Sequence, residues 1–126
     1  MEFNNTQAIY LQIADYVCDR VQLRQWLPDA KVPSVRDLAV TLEVNPNTVM
    51  RSYEHLQQQG VIYTRRGMGY FVSEDAVKKI AALRREQFLQ EELPQFFRKM
   101  YLLGFELDEL KTRYEKYKQQ HAKSIH

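Results

Sequence analysis

From Thr6 to about Arg24 apolar residues recur every four positions, at Ile9, Ile13, Val17 and Val21, with Tyr10, Tyr16 and Trp26 beside them. That spacing predicts an amphipathic helix with one face turned to a core. LPDAK breaks the pattern, and in VPSVRDLAVTLEV apolar positions return at helical spacing as Val35, Leu38, Ala39 and Leu42. Ser34 stands three residues before Asp37, a capping-box arrangement. A third helix is predicted to start at Asn45, a favoured N-cap, and Pro46, which suits a first helical position where no donor is needed. It runs with Val49, Tyr53 and Leu56 inward and stops at Gly60, since glycine readily supplies the left-handed residue that ends a helix. Short helices in series, the last two joined by a tight turn, make a helix-turn-helix pattern.

VIYTRRGMGYFV then places β-branched and aromatic runs on either side of Arg-Arg-Gly-Met-Gly, predicting a β-hairpin with glycines at its turn. Residues 1–73 thus read as a winged helix-turn-helix domain. After Ser73 the character changes. Val77, Ile80, Ala81, Leu83 or Arg84, Phe88 and Leu89 form the stripe of a linker helix, which Pro94 interrupts or restarts. LPQFFRKMYLLGF is expected as a separate short helix ending at Gly104, and FELDELKTRYEKYKQQH as a last one with Leu107, Leu110, Tyr114 and Tyr117 on one side. The fold class is therefore mainly α: an α+β winged-helix head with a β-hairpin wing, then a small α-helical module over residues 74–126. That module carries more apolar surface than so small a unit can hide alone. A second copy is the simplest cover, which makes Phe88, Phe96, Phe97, Met100, Leu103, Phe105 and Leu110 the expected dimerisation residues.

Composition narrows the class. A chain of 126 residues, 44% hydrophobic and 27% charged, lies in the soluble globular range and leaves no room for a large catalytic core. No apolar run is long enough to span a bilayer, and MEFNNTQAIYLQ lacks the plan of a secretory signal, so no membrane association and a cytoplasmic location are expected. Cys18 is the only cysteine, which excludes an intrachain disulfide and a four-thiolate zinc site; a buried place on the first helix is expected for it. No metal or cofactor is expected. The net charge is only +2, and residues 1–73 carry seven Lys and Arg against seven Asp and Glu. If the head binds a polyanion, it does so by where its charges sit.

The opening turns of the third helix carry Asn47, Met50, Arg51 and Glu54 outward, with Thr48 and Ser52 at the edge. A helix of this size fits the major groove of DNA. Asn47 and Arg51 have the bidentate donors that read adenine and guanine edges, and Met50 suits a thymine methyl. Free backbone N–H groups and the helix dipole near Pro46 to Thr48 favour a phosphate, which Thr48 can also bond. Arg65 and Arg66, adjacent at a glycine turn, repel each other, have no folding role, and suit a DNA backbone or minor groove; Arg36 adds a basic point. Catalysis finds no support. His55 sits alone in the third helix, His121 and His126 lie in the tail, and Gly67-Met68-Gly69 is too short for a nucleotide fingerprint.

VPSVRDLAVTLEVNPNTVMRSYEHLQQQGVIYTRRGMGYFV resembles the N-terminal domain of GntR-family bacterial transcription regulators, whose pattern reads roughly LPS-x-R-x-LA, a Val, an Asn or Ser/Thr stretch, TV, and a G-x-G-x-FV wing. The resemblance covers about residues 8–73, and LLGFELDEL with the short tail is similar to the YtrA-type subfamily. It implies a dimer formed by the C-terminal helices and repression of nearby genes, often for transport. It also implies contacts to double-stranded DNA from Ser34, Arg36, Asn47, Thr48, Arg51, Arg65, Arg66 and Gly67. Departures stand at Pro46 and Met50, where relatives often have basic residues, and at Asp29, where a Gly is usual and a different local turn is expected. The expected function is a homodimeric, sequence-specific repressor of a roughly palindromic operator. The alternatives are a winged-helix protein-interaction module without DNA binding, or the same regulator controlled by a small effector at the helical tail.

Overall fold

The structure, a computed structural model, describes residues 1–121; His126 lies outside them. The chain divides into two compact units, Met1–Arg84 and a second beginning at Arg85. In the first, α1 (Ile9–Gln22), α2 (Val35–Leu42) and α3 (Pro46–Gln58) precede a hairpin of β1 (Ile62–Arg65) and β2 (Gly69–Val72), and the opening turns of α4 (Ala76–Gln87) complete it. Ile13, Val17 and Val21 of α1 meet Leu38, Ala39 and Leu42 of α2 and Val49, Tyr53 and Leu56 of α3 in one core, closed by Ile62, Val72, Ala76 and Ile80. Cys18 is buried in the same core. Ile9, expected inward, is exposed because it stands at the first residue of α1. Gln12 is buried instead, and its amide bonds Asn4 and Gln7, so burial leaves it satisfied.

Local chemistry sets the helix ends. Ser34 Oγ accepts from the Asp37 N–H at 3.1 Å, and Asn45 Oδ1 from the Asn47 N–H at 2.8 Å. At the far end of α3, Gly60 takes φ 77° and the Val61 N–H donates to the Leu56 carbonyl at 3.0 Å. This is a Schellman closure, with Leu56 and Val61 both fully buried as its apolar contact. Between α2 and α3 the chain turns through Glu43 at φ 57°.

The hairpin is antiparallel, with Ile62 opposite Val72 and Arg65 opposite Gly69. The Met68 N–H closes its turn onto the Arg65 carbonyl at 2.9 Å, and Gly67 takes the φ of 74° that such a turn requires at its third residue. The other edge of β2 is paired with the loop before α2: Val32 N–H donates to Tyr70 O and Val72 N–H to Ala30 O, each at 2.9 Å. The periodicity of LPDAK gives no sign of this pairing. It ties the wing to the helical body on a second side. Asp29, in the same loop, stands at φ 63°, so the aspartate takes the left-handed backbone that a glycine would adopt freely.

In the second unit a separate helix starts at Leu93 with Pro94 in its first turn, as expected, but no loop precedes it. A π-helical turn, Phe88–Glu92, follows α4 directly and leads into α5 (Leu93–Leu103), which ends at Gly104 before α6 (Leu107–His121). Proline lacks an N–H, and its ring crowds the carbonyl four residues back; a wider π turn relieves that clash without a loop. Met100 is buried, whereas the π turn and α6 bury no side chain fully. Among the described residues no helix is long and apolar enough to cross a membrane.

Candidate nucleic-acid interface

The start of α3 presents the residues the sequence singles out, with two corrections. Asn47, Met50 and Arg51 are exposed and Thr48 is half-buried. Ser52, expected at the edge of this face, is fully buried, and its hydroxyl lies 2.6 Å from the Tyr10 carbonyl and 3.1 Å from that of Thr48. It is a tie between α3 and α1. The expected free N–H groups are also spent: Pro46 has none, that of Asn47 goes to the Asn45 side chain, and that of Thr48 goes to the Asn45 carbonyl at 3.0 Å. Any anion here must be held by side chains and the helix dipole.

Two aromatic residues outside α3 shape this face. The Arg51 guanidinium lies 3.9 Å from the ring centroid of Tyr10, whose other neighbour is the His55 ring at 5.9 Å. Tyr70 of β2 reaches from the wing, its hydroxyl 3.6 Å from Met50 Sδ and its ring packed edge-on to Tyr53 at 4.9 Å. The wing and the outer face of α3 therefore adjoin. Burial holds the Tyr53 hydroxyl well above the ordinary phenol range, so it stays protonated and donates to the Pro33 carbonyl at 2.7 Å. That bond fixes α3 against the loop that carries Ser34.

Arg65 and Arg66 differ sharply. Arg65 lies over the rings of Phe71, at 4.6 Å, and Tyr63, at 5.6 Å, and donates to the Tyr63 hydroxyl at 3.0 Å. Arg65 therefore has partners within the wing, although it is exposed. Arg66 is exposed beside Gly67 and has no partner among the described residues. Arg36 is likewise exposed and unpaired on α2 among the described residues, while Ser34 uses one lone pair for the cap and keeps its hydroxyl hydrogen for an outside acceptor.

Residues 9–72 match the family model for bacterial regulatory proteins of the gntR family. The chain belongs to the GntR family. It is 39% identical over 83 residues to the transcriptional repressor YtrA of Bacillus subtilis, a match covering 66% of this chain and 63% of YtrA. A crystal structure of a GntR-family regulator from Bacteroides thetaiotaomicron aligns at a TM-score of 0.82 with 50% identity, covering 90% of this chain and 99% of that one. The AraR DNA-binding domain, solved in complex with its operator ORR3, aligns at a TM-score of 0.53 with 25% identity over 58% of this chain and 88% of its own. This GntR-family chain is thus a DNA-binding transcription regulator of YtrA type and not an enzyme. Its fold is the winged helix-turn-helix with C-terminal helices.

In the second unit of this regulator, Phe88, Phe96, Phe97, Leu103 and Phe105 are all exposed and Leu110 is half-buried. Met100 is the exception, being buried within the chain itself. Phe88, Phe96 and Leu110 converge with Leu93, Tyr114 and Tyr117 on an open groove of about 790 Å³, edged by Lys99 and Arg113.

Proposed function

We propose that this GntR-family regulator is a homodimeric, cytoplasmic repressor that recognises a roughly two-fold symmetric DNA operator. Asn47, Thr48, Met50 and Arg51 face the major groove; Ser34, Arg36, Arg66 and Gly67 touch the backbone, and Arg65 joins them from the wing. Transport genes are the proposed targets by analogy with the subfamily. The observation that carries the reading is the adjoining of an exposed, donor-rich first turn of α3 and an arginine-tipped wing, bridged by Tyr70 and Met50. The dimer rests on the helical unit, where Tyr101 is 86% and Leu103 71% exposed although both are large and apolar. A second copy packed on that face would remove it from water.

Because positive and negative side chains cancel over residues 1–73, affinity depends on a few placed arginines rather than on bulk charge. Arg66→Ala is expected to weaken binding to every duplex and to lower the slope of log affinity against log salt by about one. Fluorescence anisotropy over a salt series measures both. An unchanged slope and affinity would remove Arg66 from the interface, and the absence of any salt-dependent binding to duplex DNA would favour a protein-interaction module.

A further inference from the structure

We infer that Asp29 and Tyr63 are positioning residues for DNA binding: together they form a relay that holds the Arg65 guanidinium in place on the wing. The relay has one direction. The Tyr63 hydroxyl donates its single hydrogen to Asp29 Oδ1 at 2.9 Å, which leaves its oxygen to accept from Arg65 Nη2 at 3.0 Å. The guanidinium is then flanked by the Phe71 and Tyr63 rings, which themselves stack at 5.8 Å between centroids. A guanidinium has five N–H donors, and this arrangement spends one. The others stay available to a phosphate, and a side chain that otherwise samples many rotamers is ordered before DNA arrives.

The placement of Asp29 supports the same conclusion independently. Its backbone N–H donates to the Val72 carbonyl at 2.7 Å, so the loop is fastened to the very strand that carries Phe71. Its φ of 63° is one that glycine takes without strain and that costs other residues of the order of 1 kcal/mol. A carboxylate close to a polyanion-binding wing is also unfavourable on charge alone. Both penalties are offset if the carboxylate orients Tyr63, and through it Arg65.

The inference rests on the reading of the wing as a DNA contact, and a double-mutant cycle on the full chain separates the two. Binding of a labelled mixed-sequence duplex is measured for wild type, Tyr63→Phe, Arg65→Ala and the double variant, with thermal unfolding of each. Tyr63→Phe keeps the ring and loses only the hydroxyl; it is expected to weaken binding about fivefold in the wild-type background and not at all beside Arg65→Ala. Asp29→Gly, which removes the acceptor without backbone strain, is expected to weaken binding about as much, while Asp29→Asn, which keeps an acceptor oxygen, retains most of it. Equal losses from Tyr63→Phe in both backgrounds, or none in either while Arg65→Ala weakens binding, would overturn the relay. An Arg65→Ala protein with wild-type affinity would instead overturn the wing contact beneath it.

Discussion

Arg51 shows how much a single side chain depends on residues far away in sequence. Its stacking on Tyr10 at 3.9 Å contributes about 0.5–1 kcal/mol at an exposed site, enough to order the guanidinium and little enough for a base or phosphate to claim it. Ser52 lies one position further on and has the opposite role. Ser52→Ala removes a buried hydroxyl bonded across to α1, and the expected cost is about 1 kcal/mol of stability with DNA affinity of the folded protein unchanged. Thermal unfolding beside a binding titration checks this; full stability with weakened binding would return Ser52 to the recognition face. Cys18 gives a pH-dependent prediction. Burial raises its pKa to about 11, so above pH 9 the unfolded chain loses the thiol proton first and stability falls as pH climbs towards 11. Chemical denaturation midpoints at pH 8 and pH 10.5 test the sign, Tyr53 acting in the same direction. Asn47 and Arg51 were legible in the sequence because helical period alone turns them outward. Ser52 was not, because the neighbour that buries it, Tyr10, sits 42 residues earlier.

At the scale of elements, the caps account for most of what the sequence made readable. Ser34, Asn45 and Gly60 each satisfy backbone groups that a helix end leaves free, so the residue types alone locate α2 and α3. Pro94 restarts an α-helix as its residue type suggests, although a π-helical turn rather than a loop precedes it. The loop before α2 is legible only in structure, since its pairing with β2 uses backbone groups and leaves no side-chain pattern. Arg84 is the corresponding case for α4. It bonds Asp19 at 2.8 Å, the Asp15 carbonyl at 3.3 Å and the Gln22 side chain, fastening the end of the first unit to α1. Since the pair is about one-third to one-half exposed, Arg84→Ala is expected to cost no more than about 1 kcal/mol, and less at high salt. Thermal unfolding at low and high salt reads the difference; a cost that does not shrink with salt would assign the effect to packing of the side-chain stem.

For the molecule as a whole, the proposed function has a charge-balanced head recognise DNA and a helical tail, with its exposed apolar residues, pair with a second copy. The head has little bulk attraction for DNA, so a single copy binds through few contacts, and joining two heads multiplies their effect. Two heads related by a two-fold axis and docked on one DNA face meet half-sites about 34–36 Å apart. The measurement that tests this account most directly is selection of bound sequences from random duplex DNA by the 126-residue chain, repeated with Arg51→Ala. The predicted result is enrichment of one inverted-repeat motif with half-sites spaced by about one helical turn, degraded when Arg51 is replaced. No enrichment over the starting pool, or a motif without two-fold symmetry that Arg51→Ala leaves unchanged, would contradict it.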